Sequence, residues 1–158
     1  MLVEITPVTG IDLVPGSFMP RWKFGSHHKE KFNAKRAAHW ANKKQARLHV
    51  LAVDDRDYGF YVVDIHQFEN EKQFYIQLLY LFVSKQYRKG KGNIEGITAS
   101  AYMLSKAIEQ SLEVSRFIPI KALILEPASP KLIPLYSSLG FTQIPHLPEF
   151  MTLPLNSV

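Results

Sequence analysis

FYIQLLYLFVSKQYRKGKG, residues 74–92, decides how the chain is read. Phe74 to Ser84 is an apolar, aromatic and β-branched run, the composition of a strand. It runs directly into QYRKGKG, where Gly90 and Gly92 permit a tight turn with consecutive N–H groups exposed, and where Arg88, Lys89 and Lys91 gather positive charge. From Ile94 to Val114 the pattern is helical, with Ile97, Ala101, Leu104, Ala107 or Ile108 and Leu112 on one predicted buried face. The first N–H groups of a helix lack partners and its dipole is positive at that end, so strand, glycine turn and helix together form an anion cradle suited to a pyrophosphate. A basic solvated turn is the competing use of the same residues.

The cradle is not a P-loop, which needs GxxxxGK followed by Ser or Thr. The strands before it also read as hairpin-linked, unlike the first βαβ unit of a dinucleotide-binding fold. Those strands are LHVLAVDD, YGFYVVDIHQF and FYIQLLYLFVS, expected to run antiparallel with DRDYG and ENEKQ as connections. Upstream, LVEITPV alternates as a short first strand, and GIDLVPGSFMPRWKFGS reads as a loop ending near Ser26, a plausible cap. Residues 29–46 contain no Gly or Pro, and Ala34, Ala37, Ala38 and Ala41 recur at helical spacing near Phe32 and Trp40, giving a basic amphipathic helix. Downstream, IKALILE is a strand, PKLIPLYSSLG a short helix stopped by Gly140, and FTQIP and EFMTLPL are two terminal strands.

The 158 residues suffice for one domain, 1–158, with a core of its own. A content of 46% hydrophobic and 21% charged residues is globular, and no apolar run reaches the roughly 18 residues of a membrane span. The start, MLVEITPVTG, has no basic segment and does not read as a secretory signal. With no cysteine there is no disulfide, no thiolate nucleophile and no cysteine metal site, which suits the cytoplasm. His27, His28, His39, His49, His66 and His146 show no metal-ligand spacing such as HExxH, so no metal is expected. A net charge of +5, concentrated between His27 and Arg47, favours anionic partners such as phosphorylated cofactors or nucleic acid.

The element order, with LFVSKQYRKGKG and then LILEPASPKLIPLYSSLGF, resembles the GNAT superfamily of N-acetyltransferases over nearly the whole chain. The resemblance implies a single α+β domain with a central, mostly antiparallel twisted sheet of six or seven strands flanked by helices. It implies acetyl-CoA as cosubstrate, held by a splayed central strand, by a loop of pattern Q or R, x, x, G, x, G or A, and by the next helix. Tyr87, Gly90 and Gly92 occupy that spacing here, with Gln86 and Arg88 one place to either side of the first position. Leu81, Phe82 and Val83 are then nearest the cofactor, and Tyr87, Arg88, Lys89, Gly90, Lys91, Gly92 and Asn93 form its phosphate loop. LYSSLGF is similar to the family's LYxxxGF and puts Tyr136 in the place of a general acid; Ser129 stands where the family often has Asn.

Acyl transfer from a thioester to an amine needs a neutral amine, a group that polarises the carbonyl and a proton donor for the thiolate, but no covalent nucleophile. In the resemblance, N–H groups of the splayed strand polarise the carbonyl and Tyr136, protonated at neutral pH, is the acid. Its alternative use is packing of the short helix. The base stays open among Asp64, His66, Glu69, Glu71 and Glu126, while Gln77 and Tyr80 are candidates for lining the acceptor site. Cations of helix 29–46 disfavour a polycationic acceptor and suit an acidic protein surface or an RNA-linked amine; a small molecule and a homodimer stay open. Two other functions compete: a nucleic-acid-binding module with Trp22, Trp40 and Tyr87 as stacking groups, and a GNAT-like protein that binds acetyl-CoA without turnover.

Overall fold

The computed structural model describes residues 1–43 and 46–155. The elements are β1 (Val3–Val8), α1 (Pro15–Phe18), α2 (Glu30–Asn42), β2 (Arg47–Val53), β3 (Arg56–His66), β4 (Phe74–Val83), α3 (Ala99–Ser115), β5 (Ile120–Leu125), α4 (Ile133–Ser138), β6 (Thr142–Ile144) and β7 (Leu147–Pro154). They build a seven-stranded mixed sheet with four α-helices. The chain forms two compact units, one of residues 1–63 and 80–106, the other of residues 64–79 and from 107 onward. No helix among the described residues is long and apolar enough to cross a membrane.

In the first unit the strand order is β1-β2-β3-β4. β1 pairs antiparallel with β2 from Val3↔Val53 to Val8↔Leu48. β2 and β3 form a hairpin whose turn is Asp54 and Asp55, both in the left-handed region that suits a two-residue connection. The connection is therefore shorter than the expected DRDYG, and Asp57, Tyr58 and Gly59 belong to β3. Gly59 is needed there: a Cβ at this position would lie 2.3 Å from the carbonyl oxygen of Phe82.

The expected loop before α2 is instead α1 between two 3-10 turns, Gly10–Leu13 and Met19–Arg21. Pro15 and Pro20 stand in the first positions of their turns, where a missing N–H costs nothing. The turns carry Leu13, Phe18 and Trp22 inward, and Phe18, Trp22, Phe60 and Phe82 meet ring to ring at 5.1–5.9 Å. The small face of α2, Ala34, Ala37, Ala38 and Ala41, is buried as its spacing predicts. The helix begins at Glu30, without the cap expected from Ser26, and of the predicted range 29–46, Lys44 and Gln45 lie outside the described residues.

In the second unit the order is β4-β5-β7-β6. β4 and β5 are parallel from Phe74↔Ile120 to Leu78↔Leu125, while β7 runs antiparallel to both β5 and β6. Tyr75, Ala122 and Ile124 centre its core, with Phe68 and Ile144 packed against them. Gly140 ends α4 with φ +99, which lets the Phe141 N–H return to the Tyr136 carbonyl at 3.1 Å.

α3 starts at Ala99 and not at the expected Ile94. Glu95 and Gly96 are both left-handed, a backbone that no right-handed helix accepts, and Ile94 and Ile97 exchange bonds of 2.8 and 3.0 Å across them. Thr98 then caps the helix, its Oγ1 accepting from the Ala101 N–H at 3.2 Å. The buried stripe is also turned from the expected one: Ala99, Met103, Ala107 and Ser111 at four-residue spacing, with Leu104, whereas Ile97 and Leu112 are exposed.

Candidate active site

The β4–β5 ladder stops at Leu78↔Leu125, although β4 continues to Val83. Toward β3, Ser84 donates its N–H to the Tyr58 carbonyl at 2.8 Å. Strand alternation then turns the peptide groups of Leu81 and Val83 to the other edge of β4, where nothing in the β5 register meets them. Phe82 faces the other way, its ring in the aromatic core and its carbonyl against Gly59.

After a single 3-10 turn, Lys85–Tyr87, the chain enters the glycine loop. Lys89 at φ +56 and Gly90 at φ +83 are consecutive left-handed residues. Within the loop the Lys91 N–H bonds the Arg88 carbonyl, while the N–H groups of Lys89, Gly90, Gly92 and Asn93 donate to nothing among the described residues. Free, closely spaced N–H groups beside lysines make an anion-binding nest. The two glycines act differently. A Cβ at Gly90 would meet only Asn93 Oδ1, at 3.9 Å, so that residue is required for its φ. A Cβ at Gly92 would lie 2.6 Å from Tyr87 Cβ and 2.8 Å from the Tyr87 carbonyl oxygen, so that residue is required for packing. Tyr87 in turn lies flat on Tyr58, centroids 3.8 Å apart.

Helix α3 begins seven residues beyond Gly92, so the loop's own N–H groups, and not a helix terminus directly adjoining them, supply the donors nearest the glycines.

Arg88 differs from the lysines. Its Nε donates to the Val83 carbonyl at 2.7 Å and both Nη atoms bond the Glu30 carboxylate. Burial alone would raise the Glu30 carboxyl, but the Arg88 hydrogen bonds, the Gly25 N–H and the charges of Arg88 and His27 outweigh it and hold the group below its ordinary value. Sequence reasoning did not single out Glu30; its signal was a lone acid within the basic run HHKEKFNAK. Gly25, Ser26, His27, Glu30, Lys85, Arg88, Lys89 and Lys91 enclose an open depression of about 370 Å³. With Glu30 paired to Arg88, the exposed titratable groups left around it are His27 and three lysines, so the depression is basic. Near the ion pair, Tyr80 has its phenol pushed up to about 12 by burial and by the Glu30 charge, with Arg88 opposing.

Tyr136 and Ser129 belong to the second unit. Tyr136 is half-buried on α4, its ring at 5.9 Å from that of Phe141, and burial raises its phenol above the ordinary value. Ser129 uses its Oγ to accept the Lys131 N–H at 3.2 Å, capping the turn before α4. Among the candidate bases, Glu71 is engaged by the Tyr75 hydroxyl at 2.7 Å, while Asp64 has a buried Oδ1 without a partner among the described residues and a carboxyl raised by burial. Of the candidate stacking groups, Trp22 is buried in the aromatic core, Trp40 lies under the Arg36 guanidinium and Tyr87 is covered by Tyr58, so Trp22 is unavailable to a base.

No family model matches this sequence, and no curated protein matches it. Solved structures do. AtaTR bound with acetyl-CoA superposes with a TM-score of 0.74 at 18% identity, covering 98% of this chain and 95% of that one. AtaT complexed with acetyl-methionyl-tRNAfMet gives 0.73 at 18%, covering 99% and 96%. A tyrosine mutant of KacT gives 0.72 at 14%, covering 99% and 97%. At such identities the likeness is one of backbone architecture alone: the chain has the GNAT fold.

Proposed function

We propose that this protein transfers the acetyl group of acetyl-CoA to an amine, and that the amine is carried on RNA. The observation that carries the first part is the nest: free N–H groups at Lys89, Gly90, Gly92 and Asn93, flanked by lysines, following a β4 edge left open beyond Leu78. A pyrophosphate matches the nest, and an extended amide-bearing arm matches the open Leu81 peptide group and the Val83 N–H, the Val83 carbonyl being taken by Arg88. When bound, acetyl-CoA supplies an activated thioester and a thiolate able to leave.

The chain's own contribution follows from chemistry. Lys89 to Asn93 hold phosphate, the Leu81 and Val83 backbone orients the acyl arm, and N–H groups on that edge polarise the carbonyl. The acceptor nitrogen forms its bond to the acyl carbon as the C–S bond breaks; the nitrogen's proton goes to a base or water, and Tyr136 gives its phenolic proton to sulfur. The acid role of Tyr136 rests on the LYSSLGF match and on a half-buried phenol kept protonated by burial. Asp64, whose carboxyl is raised by burial and whose buried Oδ1 has no partner among the described residues, is one candidate for that base, beside His66, Glu69, Glu71 and Glu126.

The exposed cations Lys31 and Lys35 on α2 favour an RNA-linked amine over a cationic small molecule, since phosphodiesters would be attracted where a polyamine would be repelled. AtaT, of the same fold, has been captured with an acetylated aminoacyl-tRNA. The test is transfer of labelled acetyl from acetyl-CoA to a panel of aminoacyl-tRNAs, free amines and peptides. Label in the tRNA fraction is expected; label only in peptides or free amines would reject the RNA part, and no coenzyme binding in calorimetry would reject the whole.

A further inference from the structure

The lysines of QYRKGKG point into the depression, but the arginine among them is occupied. A guanidinium offers five N–H donors in a rigid plane. In Arg88 that plane is used along both edges: Nε donates to the Val83 carbonyl at 2.7 Å, and Nη1 and Nη2 grip the two oxygens of Glu30, with Nη1 at 3.2 Å from Oε2. Its face covers the Phe82 ring at 5.4 Å. Glu30 is held in turn, Oε1 accepting the Gly25 N–H at 2.9 Å. The pair lies so close to the backbone that a Cβ at Gly25 would stand 2.9 Å from Arg88 Nη1 and 3.2 Å from Glu30 Oε2.

Two further bonds tie the same segments: Lys23 N–H to Ser84 Oγ and Lys85 N–H to the Lys23 carbonyl, both 2.8 Å. Residues 23–30 are thereby strapped to residues 83–88 at the point where β4 ends and the nest begins.

We propose that Arg88 is a positioning residue and not a phosphate ligand: clamped between the Val83 carbonyl and Glu30, it fixes the end of β4 and the start of the loop, so that the free N–H groups of Lys89 to Asn93 are preorganised for the coenzyme. The inference rests on the coenzyme reading above. It adds that Glu30, a negative charge beside a site for anions, strengthens coenzyme binding. Simple electrostatics gives the opposite sign, and that difference makes the two roles separable.

The test is calorimetric titration of coenzyme A into wild type, Glu30→Gln, Arg88→Lys and the double variant, with melting temperatures in parallel. A clamp predicts that each single variant loses affinity by roughly tenfold, and that the double variant is no worse than the poorer single, because both act on one network. Lysine keeps the charge but has no planar fork, so it does not rescue the clamp. If Arg88 were a phosphate ligand, Glu30→Gln would release it and tighten binding, and Arg88→Lys would keep most of the affinity, since lysine also binds phosphate well. Either result overturns the proposal. Should Glu30→Gln melt too low to titrate, Glu30→Asp, which keeps the charge but shortens the reach, takes its place with the same expected loss. Wild type that binds while Glu30→Gln binds equally well rejects the clamp alone; wild type that does not bind coenzyme A rejects the coenzyme reading and the clamp with it.

Discussion

Tyr136 and the two loop glycines are separable by what each touches. Tyr136→Phe retains the ring against Phe141 and deletes only the hydroxyl, so an acid role predicts a fall in turnover of about a hundredfold with unchanged melting temperature. Burial raises the phenol, so the group stays protonated from neutral pH to above its ordinary value of 10.0. The pH–rate profile should therefore show no loss attributable to this acid between about pH 7 and 9. Wild-type turnover in Tyr136→Phe, with an identified acceptor, would remove the assignment. Gly92→Ala forces a Cβ into Tyr87 and should cost about 1–3 kcal/mol of stability, read from denaturant unfolding. Gly90→Ala meets open space but must hold φ +83, at about 1–2 kcal/mol, and it should weaken coenzyme binding more than its stability change explains. Equal coenzyme affinity in both variants would place the phosphates elsewhere.

Two elements carry testable consequences. α3 starts at a threonine cap after a left-handed pair, so Thr98→Ala should lower stability by about 1 kcal/mol while leaving coenzyme affinity intact. Loss of affinity instead would mean that the helix start takes part in binding directly. At the start of α2, the Glu30 carboxyl lies below its ordinary 4.5 in the folded protein. A depressed carboxyl stabilises above its unfolded pKa, and that contribution is lost as pH falls through the folded value. The stability difference between wild type and Glu30→Gln should accordingly be full at neutral pH and shrink below about pH 4.5, as measured by chemical denaturation across that range. A difference that persists undiminished at low pH would show that packing, and not the ion pair, separates the two proteins.

For the whole molecule, acetyl-CoA at a hundred times its dissociation constant should stabilise the fold by about 2.7 kcal/mol, a shift readable in a thermal scan. Added salt should weaken RNA capture with a log–log slope near −0.7 for each phosphate neutralised on a single strand. The sequence by itself determined what depends on local pattern: the alternating and continuous apolar runs of the strands, the alanine face of α2, the stop at Gly140 and the glycine loop at the end of β4 were all legible, because period and composition dictate them. Even the family resemblance rested on short segments whose spacing survives without the rest. Tertiary structure decided the remainder. Residues 10–21 form helical turns because Leu13, Phe18 and Trp22 find an aromatic core distant in sequence, and the α3 start moved because a left-handed pair intervenes. Arg88 is a clamp in place of a free cation because Glu30, 58 positions earlier, reaches it; charge can be counted along a chain, but which charges are already paired is settled only by folding.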